Sequence, residues 1–176
     1  MKKSFFTIAT LFILATLFAF TLPTAWKIAT KYNISFSTSG VSGIFKTFTG
    51  NIIFDEQSLA ASKFDIAIDI NSINTGNGMM NKHAKGSEWF DASKYPAVKF
   101  TSGKIVKAGA GYTATGDLQL HGITKEVSLP FVFKRSATGG TFEGAFNISR
   151  NDFKIGGPGG EVGEVIKVNV SVPVVK

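Results

Sequence analysis

The chain has no cysteine and only two histidines in 176 residues. Without thiols it has no disulfide staples, no thiolate metal site and no cysteine nucleophile, and lipoprotein processing is excluded. His83 and His121 lack any His-x-His or His-x₃-His spacing, so no metal ligand is nominated. No Gly-x-Ser-x-Gly elbow is present. Neither Gly76-Asn-Gly78 nor the Gly156–Gly160 cluster has the spacing of a phosphate loop. Asp65 and Asp69 share one face of an alternating run and read as solubilising charges. No catalytic residue is therefore named. A clustered basic stripe is missing as well. The formal charge of +7 is scattered, which argues against nucleic acid and leaves transient contact with an anionic membrane surface as the electrostatic option.

What is present begins with a leader. Lys2 and Lys3 precede an apolar run from Phe5 to Phe20 and a polar exit, Thr21 to Ala25, which together form a secretory signal over residues 1–25. A bilayer span needs about 20 apolar residues, and the run has 16. Cleavage after Ala25 would put Pro23 where a small residue is usual, so an uncleaved anchor stays as the alternative. The expected location is periplasmic or secreted. Residues 26–176 suit one domain with its own core.

That domain alternates with period two almost throughout, the mark of strands with one wet face. Phe64, Ile66, Ile68 and Ile70 lie opposite Lys63, Asp65, Ala67 and Asp69. Val127, Leu129, Phe131 and Phe133 form a second file, and Ile166, Val168, Val170 and Val172 a last one. Turn signals fall at Ser39-Gly40, Thr49-Gly50, Gly109 to Gly111, His121-Gly122, Gly139-Gly140 and Gly156 to Gly160. Helices of crossover length are missing, so the fold class is all-β: an antiparallel sheet or barrel of about eight strands. Twelve of the 17 phenylalanines lie after residue 25. Two readings fit such a face, a solid core and a hollow barrel walled by large rings, and alternation alone does not separate them.

One stretch breaks the pattern. Asn77 caps a short helix to Lys85, stopped by Gly86, and Ser87 caps a second turn through Glu88, Trp89 and Phe90. Tyr95-Pro96 then restores extended geometry. A helical insert in a β protein is well placed to cover the end of a barrel. His83 within it is read as an anchor by hydrogen bonding or as a contact to a ligand's polar end.

Three blocks taken together resemble the YceI-like family of secreted, lipocalin-like proteins. The first is Gly43-Ile-Phe45 followed by Phe48, Gly50 and Phe54-Asp55. The second is His83, Ser87, Trp89-Phe90-Asp91, Tyr95-Pro96 and Phe100. The third is Gly116-Asp-Leu118-Gln-Leu120-His-Gly122-Ile-Thr-Lys125, followed by Arg150-Asn-Asp152-Phe153. The resemblance covers residues 26–176. It implies a lipocalin-like antiparallel barrel that holds an isoprenoid or other long amphiphilic lipid, a periplasmic location and no catalysis. Where the family has an acidic residue and a His-Ser pair after its opening Trp, this chain has Trp26-Lys-Ile28 and then Ala29-Thr-Lys31-Tyr32.

On that basis parity assigns Phe36, Phe45, Phe64, Ile66, Ile68, Phe100, Leu118, Leu120, Phe131 and Phe146 to an apolar ligand wall. Met79, Met80, His83, Trp89 and Phe90 are assigned to the mouth. Lys82, Lys85 and Arg150 are the candidates for an anionic head group. The only expected cofactor is a bound isoprenoid or fatty-acid-like lipid, carried by a monomer or homodimer. The competing reading is an envelope stress or interaction protein with a solid barrel core.

Overall fold

A computed structural model describes residues 24–157 and 159–176. The signal segment therefore lies, up to residue 23, outside the described residues, while Ala25 already belongs to the first strand. In chain order the elements are β1 Ala25–Ile28, β2 Asn33–Thr38, β3 Val41–Phe45, β4 Phe48–Ile53, β5 Lys63–Asp69, β6 Ile73–Asn74, α1 Gly78–Ala84, β7 Ala97–Ala108, β8 Gly111–Leu120, β9 Ile123–Arg135, β10 Gly139–Ser149 and β11 Val165–Val175. Single 3₁₀ turns occupy Leu59–Ala61, Ile70–Ser72 and Arg150–Phe153.

The six short strands are three interrupted staves, β1–β2, β3–β4 and β5–β6. With β7 to β11 they make a closed eight-stave antiparallel barrel, in which β11 pairs with β10 on one side and with β1 and β2 on the other. Each stave neighbours the next in sequence, the arrangement that short polar turns favour.

Two turn assignments are corrected. Thr49-Gly50 lies inside β4, where Gly50 sits so close to β5 that a Cβ would strike the Asp65 carbonyl. The actual break is Lys46-Thr47. Tyr32 spans it: its hydroxyl donates to the Lys46 carbonyl (2.9 Å) and accepts from the Phe48 N–H (3.0 Å). Gly139 and Gly140 are not a turn either. They open β10, packed flat against β11 and the Phe133 ring, while the chain reverses just before them.

The hairpin at His121-Gly122 forms as expected. Both residues have positive φ, 52° and 75°, as a two-residue turn with mirror-image geometry requires. A Cβ on Gly122 would also meet the Tyr95 ring at 2.5 Å. Gly122→Ala is expected to cost about 1–3 kcal/mol, read as a lower urea midpoint at unchanged slope.

The barrel is packed differently at its two ends. At the end holding Trp26 and Phe54, aromatic rings form a plug. Phe54, 1% exposed, lies 5.0–5.6 Å from the rings of Tyr112, Phe131, Phe133 and Phe142, and 6.3 Å from Phe64. Most of these pairs are edge-to-face, the arrangement the ring quadrupoles favour. The Trp26 indole N–H donates to the Phe54 carbonyl at 2.8 Å and fixes the plug to β1.

Candidate ligand-binding cavity

Beyond the plug the barrel is hollow. A cavity of about 500 Å³ runs from Phe64, Phe131 and Phe142 at its floor to α1 at its rim. That is within the size range of small-molecule sites. The hollow lies where β2, β5, β7, β8, β10 and β11 all turn apolar side chains inward. Neither core reading holds alone: one end is solid and the other is open.

All ten residues assigned to the wall line this space. Phe64 and Phe131 belong to its floor. Ile66, Ile68, Phe100, Leu118 and Leu120 form one side, and Phe36, Phe45 and Phe146 the other. Parity missed Ile34, Phe48, Ile52 and Phe142, and the β11 file Ile166, Val168, Val170 and Val172, which also face the cavity. The β11 file alternates as cleanly as β5 and was visible in the sequence.

Met79, Met80, His83, Trp89 and Phe90 all border the opening. The helix is shorter than its signals, ending at Ala84, and buries no residue. Its hold is polar: Asn77 Oδ1 accepts from the Met79 and Met80 N–H groups, and Asn81 Oδ1 accepts from the Thr75 N–H and hydroxyl. Met79 is 82% exposed, so it stands on the rim rather than sealing it. The second helical turn is corrected. Residues 86–95 form hydrogen-bonded turns, with Phe90 N–H donating to the Ala84 carbonyl and Asp91, at φ 43°, accepting from the N–H groups of Lys94 and Tyr95.

Of the two readings of His83, the anchoring one is corrected. His83 is largely exposed, and its nearest charged partner is Glu88 at 4.0 Å. It lies on the rim and does not anchor the segment. His121 is the anchor: Nδ1 lies 3.0 Å from the Phe153 carbonyl, which it serves as donor, and its ring meets Tyr95 edge-on at 5.0 Å.

Of the head-group candidates, Lys82 and Lys85 do not line the cavity; Arg150 does. Arg150 is corrected on its chemistry. It is 3% exposed, and its five N–H donors are directed at five backbone carbonyls, those of Ile155, Gly157, Gly159, Val162 and Gly163, at 2.8–3.2 Å. Trp89 covers the guanidinium at 5.7 Å. No donor is left for an anion, and the residue instead holds the loop before β11. Among the described residues, His83 and Arg150 are the only ionisable side chains on the lining. The polar remainder of the lining is Thr75 and Asn77 beside α1, and Ser35 farther down the wall, which alternates with the inward Ile34 and Phe36 and whose hydroxyl meets the Asn169 carbonyl at 3.5 Å.

The fold and this space define the class: a small closed β-barrel with an apolar interior cavity open at one end. The YceI-like domain model matches residues 23–174, and the chain belongs to that family. A protein of Photorhabdus laumondii, plu2095, is 43% identical over 91 residues, 52% of this chain and 47% of that one, so the match spans about half of the relative. Protein YceI of Escherichia coli is 33% identical over 144 residues, 76% of this chain and 73% of that one. Among solved structures, Burkholderia cenocepacia BcnA superposes with a TM-score of 0.80 at 27% identity, covering 85% of this chain and all of that one. A polyisoprenoid binding domain from Saccharophagus degradans shares the fold, with a TM-score of 0.64 at 17% identity, over 87% of this chain and 98% of that one.

Proposed function

We propose that this protein is an exported, non-catalytic carrier that holds one long amphiphilic lipid, isoprenoid or fatty-acid-like, with its tail in the hollow end of the barrel. The observation that carries the reading is the 500 Å³ cavity, walled by aromatic and aliphatic side chains from the floor to the rim. Each methylene moved there from water contributes roughly 0.8 kcal/mol, so a long tail supplies most of the affinity. The same fold serves polyisoprenoid binding in the Saccharophagus degradans domain. The polar end would rest at the open, solvated rim among Thr75, Asn77 and His83, which can hydrogen-bond a hydroxyl or a carboxyl head. Met79 and Met80 give the rim a soft, adaptable surface. With Lys82 close by, they suit brief contact with an anionic membrane face. The leader supports a periplasmic or secreted setting.

Protein purified from its host is expected to yield a long-chain lipid in about equimolar amount on organic extraction and mass spectrometry, as one cavity predicts. An extract without lipid, from protein that also fails to take up added isoprenoid alcohol, would remove the carrier role and leave the interaction protein.

A further inference from the structure

The barrel wall is incomplete between β9 and β10. Strand β10 pairs with β11 along its whole length, from Gly139 to Ser149, but with β9 only from Gly140 to Gly144. Past that point the two strands continue without a ladder, β10 through Ala145–Ser149 and β9 through Pro130 back to Ile123. Pro130 accounts for the stop. Its carbonyl faces Gly144, so its nitrogen is directed to the same neighbour, and proline has no N–H to donate. Closed barrels exist without free edges, and an unladdered stretch inside the wall is therefore an opening in the hydrogen-bonded surface.

Three features give this seam a direction. It begins at the level of the cavity floor, since Phe131, which pairs with Gly144 at the last rung, is itself part of the plug. Its flanks are apolar: Leu129 and Pro130 on one side and Phe146 and Ile148 on the other all line the cavity. A surface groove of about 280 Å³, reached past Gly144 and Ala145, shares Pro130 and Phe131 with the cavity, so one layer of residues separates inside from outside. The upper end of the seam is fastened by side chains instead of a ladder. Lys125 Nζ pairs with Asp152 at 2.9 Å, and His121 Nδ1 donates to the Phe153 carbonyl at 3.0 Å.

We infer that this seam is a lateral slot through which the end of a linear apolar chain, too long for the hollow, passes out of the barrel. The inference rests on the carrier reading. A tail entering past α1 meets the plug at half the height of the barrel, and the seam is the unladdered part of the wall just above that level. The slot adds a length rule to the site: the ligand class is an unbranched or isoprenoid chain with a slim terminus, and its length is not capped by the cavity volume. A ligand with a bulky terminal group would be confined to chains that fit above the plug.

The absence of cysteine makes the test clean. Ala145→Cys at the lip of the slot and Met79→Cys at the rim are each labelled with bimane. Each protein is loaded with docosanoic acid brominated at its terminal carbon or, separately, beside the carboxyl. Native mass spectrometry counts retained acid independently of fluorescence. The slot predicts loss of emission at Ala145→Cys with the terminal bromine and none with the bromine beside the carboxyl, with the reverse at Met79→Cys. Retained acid whose terminal bromine leaves Ala145→Cys unquenched overturns the slot and leaves the carrier intact. No retained acid in either labelled protein or in the unlabelled chain overturns both.

Discussion

Arg150→Ala is expected to lower stability by about 3–5 kcal/mol, among the largest losses for any single substitution in this chain. The guanidinium is a buried cation with no carboxylate partner among the described residues, and its charge is met by the five carbonyl dipoles of Ile155, Gly157, Gly159, Val162 and Gly163. Removing it leaves carbonyls pointing at one another, and those nearest the 3₁₀ turn, such as that of Ile155, are too enclosed to take water in exchange. The loop then loses the partner that these carbonyls share, and Trp89 loses the cation beneath it. Arg150→Lys keeps the charge but places its N–H groups on one nitrogen, which cannot reproduce a fork reaching carbonyls on two sides, so it should recover less than half of the loss. Urea denaturation gives the energies. Hydrogen exchange at Gly163 and at Gly156, whose N–H is held by the Glu88 carbonyl at 2.9 Å, reports whether the loop is released before the barrel. Equal exchange in both variants and the parent chain would show that the carbonyls do not depend on Arg150.

That loop illustrates what the sequence could and could not disclose. A lone arginine after an alternating strand looks like a surface cation, and nothing in its neighbours signals that a glycine-rich loop will fold its carbonyls around it. The same limit applies to His83 and His121. Their types were evident, but which one meets a carbonyl depends on the packing of the β8–β9 hairpin against the 3₁₀ turn at Arg150–Phe153. Parity was far more informative. It depends only on the strand period, so Ile66, Ile68, Phe100, Leu118 and Leu120 were assignable to the inner face without any tertiary knowledge. The strand count was equally legible, although Gly50 was misread because a glycine required by a close neighbouring strand looks like a glycine required by a turn. Depth along the barrel was not legible at all. Alternation says which way a side chain points and not how far it lies from the mouth, so the division into plug and hollow, and the seam at Pro130, are visible only once the staves are in register.

Phe54→Ala and Phe146→Ala test that division, because the same truncation should have opposite consequences at the two ends. Phe54 sits among five rings and is 1% exposed. Removing it opens a void that rigid, edge-packed neighbours cannot collapse into, and both the transfer and the cavity contributions are lost, about 3–5 kcal/mol. Phe146 borders space that is already empty and is only half-buried. Its removal enlarges an existing hollow instead of creating a new one, so the cavity contribution is small and the loss should stay near 1–1.5 kcal/mol. Affinity should reverse the order. With Phe54 gone but the barrel still folded, the wall around the tail is intact and binding of an isoprenoid alcohol changes little. With Phe146 gone, ring contacts along the tail are lost and the dissociation constant should rise about tenfold, the equivalent of 1.4 kcal/mol. Thermal melts with and without the alcohol, together with titration of tryptophan emission from Trp89 at the rim, measure both quantities on the same samples. Equal destabilisation by the two substitutions would mean that the hollow is filled in solution, and the carrier reading would lose its physical basis.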